Sequence, residues 1–253
     1  MRGLKFSVLG LVLGLVACGC KSETPTPAKK KDTVEKKENA KEAAMGLTLK
    51  WFGHASFRIS DEDTVVYIDP WKLKDAPHDA DLVLVSHSHY DHYSSGDIAK
   101  VSGDDTKLAA SNDVILKEGG GQAIMPGLTL ELGAVRVQGV PAYNTNKQFH
   151  PKSNQWLGFI IDIAGKRIYY AGDTDLIDEM KTLKDIDIAL LPVGGTYTMN
   201  AAEAAEAVGY IKPKLAVPYH WGDIVGSKSD AESFARKAGC EVKVLMPSES
   251  LSL

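Results

Sequence analysis

Cysteine is scarce in this sequence, and no apolar segment is long. Two of the three cysteines lie within the first 20 residues, which leaves Cys240 alone in the remainder. A lone cysteine excludes a disulfide within residues 47–253, and we expect Cys240 to behave as a small, buried apolar side chain. The N-terminal apolar run from Phe6 to Ala17 has about a dozen residues, whereas a transmembrane helix needs about 20. This run does not predict a helix that spans a bilayer.

Basic side chains are in deficit over most of the chain. The whole sequence has a formal charge of −4, but residues 1–46 carry +4, so residues 47–253 carry −8, with 20 basic and 28 acidic residues. An acidic surface repels nucleic acids, whose phosphates bind to clustered lysine and arginine. The charge balance therefore argues against a nucleic-acid partner.

Residues 1–20 resemble the signal peptide of a bacterial lipoprotein. Met1 to Lys5 is basic, the apolar run follows, and Leu15-Val16-Ala17-Cys18 resembles a lipobox. This resemblance implies that Cys18 carries acyl chains such as palmitate. They would anchor the protein to a membrane of the bacterial cell envelope, on its periplasmic or extracellular face. The alternative is an ordinary secretory signal that is cleaved nearby.

The rest of the chain divides into a linking segment and a domain. Residues 21–46 are rich in Lys, Glu and Pro and have almost no large apolar side chain, which predicts a disordered tether. The lysines of the tether either contact anionic lipid headgroups or remain solvated. Residues 47–253 are long enough for one domain with a sizeable core.

Strand-like runs recur throughout residues 47–253, with helical stretches between some of them. This mixture predicts an α/β (α+β) domain of two sheets with helices outside. The predicted helices are Asn112–Glu118, Asn200–Ile211 and Ser229–Ala238.

The most informative motif is the heptapeptide Ser86-His87-Ser88-His89-Tyr90-Asp91-His92. It follows Asp81 to Val85, an apolar run typical of a buried strand. His87 and His89 alternate, so in extended backbone they point to the same side and can share one metal ion. Asp91 and His92 come after the chain has begun to turn and can face a second ion. We interpret the heptapeptide as a metal-binding segment at a strand end.

Three more candidate ligands lie downstream, each next to a predicted strand. Asp173 and His220 each follow a strand, and His150 precedes one. With the heptapeptide they supply five histidines and two aspartates. This nitrogen and oxygen set suits zinc, manganese or iron better than calcium.

The pattern resembles the metallo-β-lactamase superfamily. The matching elements are the H-x-H-x-D-H motif of the heptapeptide, the Gly-Asp-Thr turn at Asp173 and the late strand-end His220. One branch of the superfamily contains lactonase-like and N-acylphosphatidylethanolamine phospholipase-like enzymes. The sequences of this branch resemble the present chain in two segments, Trp51–Phe57 and Ile68–Trp71. The resemblance covers residues 47–253 and implies a four-layer αβ/βα sandwich with a two-metal site between the loops of its sheets.

The resemblance also implies a role for each ligand. His87 and His89 would bind one ion, a second set would bind the other, and Asp173 would bridge the two; the second set is Asp91, His92 and His220. The usual Gly-His-Thr turn of the superfamily is absent from the corresponding region, Val140–Asn144. His150 is the candidate for the third histidine on the first ion; otherwise it binds substrate, or the first ion is weakly held.

The implied activity is hydrolysis of a small lactone, ester or phosphodiester by a hydroxide that two divalent ions activate. Zinc is expected, with manganese or iron as alternatives. The other interpretations are a phospholipase-like phosphodiesterase at the membrane surface, a di-iron oxidoreductase, and a non-catalytic metal-binding surface module. The oxidoreductase is disfavoured because no sequence remains for a flavin-binding domain.

Several single residues admit two interpretations. Asp69 either orients a ligand histidine or forms an Asp-Pro turn. His54 either faces the site or is a structural histidine. Tyr197 either donates a hydrogen bond to an oxyanion, and is then catalytic, or packs in the loop 194–199. His78 has no partner in sequence and is expected at the surface.

Overall fold

Two seven-stranded sheets form the centre of the molecule. The computed structural model describes residues 46–253, so the predicted signal, Cys18 and the tether up to residue 45 lie outside the described residues. Within the described part of the chain, no helix is both long enough and apolar enough to cross a bilayer.

The first sheet has the strand order 14-1-2-3-4-5-6 and the second has the order 13-12-11-10-9-8-7. The strands are β1 (Thr48–Gly53), β2 (Ser56–Ser60), β3 (Val65–Ile68), β4 (Ala80–Val85), β5 (Ser102–Ala110), β6 (Gln122–Ala123), β7 (Thr129–Leu132), β8 (Val135–Pro141), β9 (Leu157–Ile163), β10 (Lys166–Tyr170), β11 (Ile188–Pro192), β12 (Leu215–Tyr219), β13 (Glu241–Val242) and β14 (Ser250–Ser252).

Four α-helices and two 3-10 turns connect the strands of residues 46–253. They are α1 (Ser95–Val101), α2 (Asn112–Glu118), α3 (Ala201–Ile211) and α4 (Lys228–Lys237), with 3-10 turns at Lys152–Asn154 and Asp178–Thr182.

The start of α3 follows the sequence prediction. Asn200 accepts hydrogen bonds from the backbone of Ala202 and Glu203, and the Glu203 carboxylate accepts one from the Asn200 amide, which is a capping box.

Alternating side chains of β4 show how the layers pack. Leu82 and Leu84 are fully buried in the core between the two sheets, whereas Val83 and Val85 belong to a second core under α1 and α2. On the other side, Ala204 and Ala207 of α3 and Phe234 of α4 pack on the second sheet. The resulting order of helices, sheet, sheet and helices confirms the predicted αβ/βα sandwich.

Strand direction explains why the polar residues gather at one edge. In the first sheet β1, β3 and β4 run in the same direction, because β2 is antiparallel to β1 and β3 and β4 is parallel to β3. In the second sheet β8, β10 and β12 share one direction for the same reason. The loops after these six strands carry the residues of the site described below.

Cys240 differs from its predicted state. The thiol is only partly buried and contacts the Glu241 carbonyl oxygen at 3.3 Å, because the short strand β13 lies at the edge of its sheet. Burial still raises the pKa of the Cys240 thiol.

Candidate metal centre

Three histidines form what we call the first cluster: His87, His89 and His150. Each offers a ring nitrogen, and these atoms lie within 4.8 Å of one another. His87 and His89 follow β4, and His150 ends the loop after β8. The side-chain oxygen Oδ1 of Asn144 accepts from the backbone amide of His150 at 3.0 Å and lies 3.2 Å from His150 Nδ1. The contact with Asn144 thereby orients the His150 ring so that its Nε2 atom faces the site.

Four residues form the second cluster: His54, Asp91, His92 and His220. Their candidate ligand atoms also lie within 4.8 Å of one another, and all four side chains are buried. His54 Nε2 donates to Asp91 Oδ2 at 2.9 Å, and the rings of His54 and His220 are 4.0 Å apart. The His220 amide donates to the His54 carbonyl oxygen at 2.9 Å, which ties the loop after β12 to the loop after β1.

Asp173 lies between the two clusters. Its Oδ2 is 3.2 Å from His150 Nε2 and 3.2 Å from His220 Nε2, and its Oδ1 is 3.3 Å from His92 Nε2. The residue follows β10, in the Gly-Asp-Thr turn. One carboxylate therefore contacts both groups of histidines.

Asp69 anchors the second cluster from behind. Its Oδ2 accepts from His92 Nδ1 at 2.7 Å, from the Tyr170 hydroxyl at 2.6 Å and from the Ser86 hydroxyl at 2.6 Å, while Oδ1 accepts from the Ser86 amide at 2.7 Å. Asp69 thus makes the contact expected of a carboxylate that orients a ligand histidine, here His92.

Burial and charge set the protonation of these side chains. Burial lowers the pKa of His54 to about 4, against the hydrogen bond with Asp91. Burial raises the pKa of Asp91, but the hydrogen bond from His54 and the charge of His92 outweigh it and bring the value to about 2. Burial also holds the pKa of His87 well below its usual range. His54 and His87 are therefore neutral, and Asp91 is ionised.

Unpaired polar atoms test whether a metal ion fits here. Several buried atoms have no hydrogen-bond partner within the described residues: His54 Nδ1, His92 Nε2, His150 Nε2, Asp173 Oδ1, and both ring nitrogens of His220. Some lie 3.2–3.3 Å from an oxygen of Asp173 but lack hydrogen-bond alignment. A buried unpaired group costs about 1–3 kcal/mol, so this concentration fits a site built for cations with nitrogen and oxygen ligands.

Backbone strain is concentrated at the same place. His54, Asp69 and His220 have positive φ angles of 48°, 43° and 63°, a conformation uncommon for residues other than glycine. Gly194 lies directly against His220, where a Cβ atom would be 2.5 Å from the His220 carbonyl oxygen. The surrounding loops therefore hold these side chains in positions that relaxed backbone would not select.

A cleft of about 190 Å³ leads to the centre. It is lined by His89, Tyr90, Asp91, Phe149, His150, Asp173, Tyr197 and Ile224. A larger depression of about 390 Å³ lies elsewhere, beside the β9–β10 turn, and none of the clustered histidines lines it. We take the smaller cleft as the route to the centre because its wall includes residues from both clusters.

The structure brings every predicted metal-binding and catalytic residue to this region, whereas the predicted lipidation site Cys18 lies outside the described residues. His87, His89 and His150 share the first cluster, and the second contains Asp91, His92 and His220. Asp173 lies between them, and Tyr197 lines the cleft. Their binding of metal and their catalytic roles remain predictions. His78 is exposed and contacts the Ser102 carbonyl oxygen.

No sequence motif identifies two residues near the first cluster, Trp156 and Asp113. Trp156 packs against the rings of His87, His89 and His150, with centroid distances of 4.8, 4.6 and 5.5 Å. Its Nε1 donates to Asp113 Oδ2 at 2.9 Å. No motif marks either residue, because their contacts arise only when β9 lies beside the loop after β4.

Comparisons with known proteins agree with this geometry. A family model described as a β-lactamase superfamily domain matches residues 48–220. A UPF0173 metal-dependent hydrolase from Pyrococcus abyssi is 35% identical over 228 residues, covering 82% of this chain and 100% of the relative. A crystal structure from Parabacteroides distasonis, of a protein named as a metal-dependent hydrolase, aligns with a TM-score of 0.72 and 34% identity over 78% of this chain and 92% of that one. Igni18, a metallo hydrolase from Ignicoccus hospitalis, aligns with a TM-score of 0.67 and 26% identity over 82% and 98%.

The two packed sheets, the histidine- and aspartate-rich centre and these similarities define a metal-dependent hydrolase. The chain belongs to the metallo-β-lactamase superfamily and, within it, to the UPF0173 metal-dependent hydrolases.

Proposed function

We propose that this hydrolase cleaves a small lactone, ester or phosphodiester at a centre that holds two divalent ions. The observation that carries the proposal is the position of Asp173 between two clusters, each of which contains buried histidine nitrogen atoms without a hydrogen-bond partner. Zinc is the expected metal, with manganese or iron as alternatives, because the donors are imidazole and carboxylate groups.

The two clusters divide the metal-binding work in this proposal. The first cluster would hold one ion through its three histidines. The second would hold the other through Asp91, His92 and His220, and Asp173 would contact both. When bound, such a pair supplies a water of lowered pKa and stabilises negative charge on the substrate.

The chain's own residues position these groups. His54 donates to Asp91 at 2.9 Å and fixes the orientation of that carboxylate. Asp69 accepts from His92 Nδ1 and so directs Nε2 towards Asp173. Tyr197 lies on the wall of the cleft, where its hydroxyl would donate to an oxyanion on the substrate.

Metal analysis and a substrate screen test this proposal. The purified protein is reconstituted with zinc, manganese and iron, and bound metal is measured by elemental analysis. We expect close to two ions per chain, and activity on at least one lactone, ester or phosphodiester that Asp91→Ala and Asp173→Ala lose. His78→Ala is the control, because His78 is exposed and lines no part of the cleft. Absence of bound metal after reconstitution would refute the two-ion centre.

Two finer features complete the proposal. The motifs Trp51–Phe57 and Ile68–Trp71 support a place in the lactonase-like and phospholipase-like branch. The lipobox at Cys18 supports lipid anchoring to a membrane of the bacterial cell envelope. An anchored enzyme would meet lipid headgroups, which keeps a phospholipase-like phosphodiesterase as the second candidate.

A further inference from the structure

The mouth of the cleft is apolar and exposed. Large apolar side chains with considerable exposure are few in residues 46–253, and two of them, Tyr90 and Phe149, line this cleft with exposures of 69% and 41%. The ring of Tyr197 meets Phe149 edge-on at 4.7 Å and 87°, and Ile224 completes the apolar wall. Exposed apolar surface of this kind next to a buried polar centre is typical of a binding cleft.

Positive charge is not available in the cleft wall. Among the described residues, no lysine or arginine lines the cleft. Lys72, in a flanking loop, pairs with Asp223 at 2.8 Å, and Lys147 pairs with Asp175. Apart from the two ions of the proposed centre, the cleft therefore offers a substrate no cationic side chain of the described residues to receive an anionic group.

We propose that the cleft selects neutral esters or lactones that carry a small flat apolar group. This inference rests on the proposed function and narrows its substrate class. The apolar group would lie against Tyr90, Phe149 and Tyr197 while the carbonyl carbon reaches the centre between Asp91 and Asp173. A cavity of about 150 Å³ accommodates benzene, so a cleft of about 190 Å³ suits one six-membered ring.

The reaction on such a substrate is ordinary ester hydrolysis. The oxygen of water forms a new bond to the carbonyl carbon, and the acyl–oxygen bond breaks. One proton of the water goes to the leaving alkoxide, which departs as an alcohol, and a carboxylic acid is the second product. No oxidant, reductant or further reactant is required.

Three substrates test the inference on the metal-loaded protein. Benzyl acetate carries the flat apolar group, methyl acetate lacks it but has a leaving alkoxide of similar basicity, and methyl phenyl phosphate carries the ring on an anionic diester. We expect kcat/KM to be highest for benzyl acetate. We also expect Phe149→Ala and Tyr90→Ala each to lower the ratio of kcat/KM for benzyl acetate to kcat/KM for methyl acetate about two- to tenfold, the factor to which the roughly 0.5–1.5 kcal/mol of an aromatic contact corresponds.

A binding measurement supplies a readout that does not depend on turnover. Acetophenone is a neutral ketone that cannot be hydrolysed, and acetone is its counterpart without the ring. Calorimetry should show tighter binding of acetophenone to the wild type than to Phe149→Ala, with bound metal unchanged in both. Leu116→Ala is the matched control, because Leu116 is 75% exposed and apolar but does not line the cleft.

The outcomes separate the inference from the proposed function. Preference for methyl phenyl phosphate, or equal binding of acetophenone by wild type and Phe149→Ala, would overturn the inference and leave the hydrolase intact. A protein that binds two ions but hydrolyses none of the three substrates, nor any other lactone, ester or phosphodiester, would overturn the proposed function. Loss of the preference for benzyl acetate in Lys72→Gln would also count against the inference, because it would mean that Lys72 selects the substrate.

Discussion

Trp156 is the side chain whose replacement tests the candidate centre most selectively. It is 8% exposed, and its indole contacts the rings of all three histidines of the first cluster. The bond from Nε1 to Asp113 fixes the plane of the indole. Asp113 itself accepts from the Ser111 hydroxyl at 2.5 Å, so the support extends to the start of α2. One rigid plane therefore limits where the three histidine rings lie.

The size of the effect follows from these contacts. Trp156→Ala removes a buried ring and leaves a cavity, which costs about 3–5 kcal/mol of unfolding free energy. Trp156→Phe keeps an aromatic face but leaves Asp113 Oδ2 without its donor, which costs about 1–3 kcal/mol. Groups that orient metal ligands change metal affinity by about 10–100-fold. We expect a loss of about tenfold for Phe and about 100-fold for Ala, confined to the ion of the first cluster.

A graded chelator titration with elemental analysis at each step measures this loss. Wild type and variants are loaded with zinc and dialysed, and circular dichroism confirms that each is folded. Phe234→Ala is the control, because it removes a fully buried ring from α4 at a comparable cost in stability, and Phe234 belongs to neither histidine cluster. The Trp156 variants should release one ion at lower chelator concentration. A folded Trp156→Ala that keeps both ions at the wild-type midpoint would refute the positioning role.

Three further predictions concern other parts of the chain. Asp173→Ala should lower kcat/KM more than His54→Ala, because Asp173 contacts both clusters and His54 acts through one carboxylate; equal losses in folded variants would contradict this. Burial and the hydrogen bond to Asp79 raise the pKa of Tyr67 from 10.0 to about 12. Because the folded state holds the hydroxyl proton more tightly than the unfolded state, protonated Tyr67 stabilises the folded state by about 1–2 kcal/mol. This stabilisation is complete below pH 10 and is lost as the pH rises to 12. Other buried tyrosines, among them Tyr169 and Tyr170, also have raised pKa values, so in urea unfolding from pH 8 to 11.5 the stability of wild type should fall more steeply than that of Tyr67→Phe. Parallel curves would exclude the contribution of Tyr67. Finally, Cys18→Ala should release the protein from membranes, and a processed variant that remains bound through a high-salt wash would disprove lipid anchoring.

Periodicity and composition predict much of the fold. The runs around β4, β9 and β12 are apolar enough to identify buried strands, and the capping residues at Asn200 identify the start of α3. Helix α1 was missed, because only Ile98 and Val101 of its seven residues lie in the core beneath it. Strands β6 and β14 have two and three residues, too few for a period to be recognised. Such edge elements depend on pairing with a neighbour rather than on their own sequence.

The sequence predicts the part of the site whose ligands are close together in the chain. It does not predict contacts between side chains that are far apart in the chain and meet only in the fold. His87, His89, Asp91 and His92 are close in sequence, and their spacing alone predicts that they lie together. In extended backbone, residues two apart, such as His87 and His89, point to the same face. The position of His54 was left open, and only the structure shows its bond to Asp91. That contact joins residues 37 apart in the chain, and no local pattern specifies it.

The two sheets contribute separate parts of the centre. The loops of the first sheet supply His54, the heptapeptide residues and Asp69, and the loops of the second supply His150, Asp173 and His220. Ions held between them would act as a non-covalent cross-link in a domain whose single cysteine cannot form an internal disulfide. A ligand at 1,000 times its dissociation constant stabilises the folded state by about 4 kcal/mol, which is comparable with a native disulfide. Metal release would then loosen one sheet from the other, so that the chelator resistance and the thermal stability of this protein become one property.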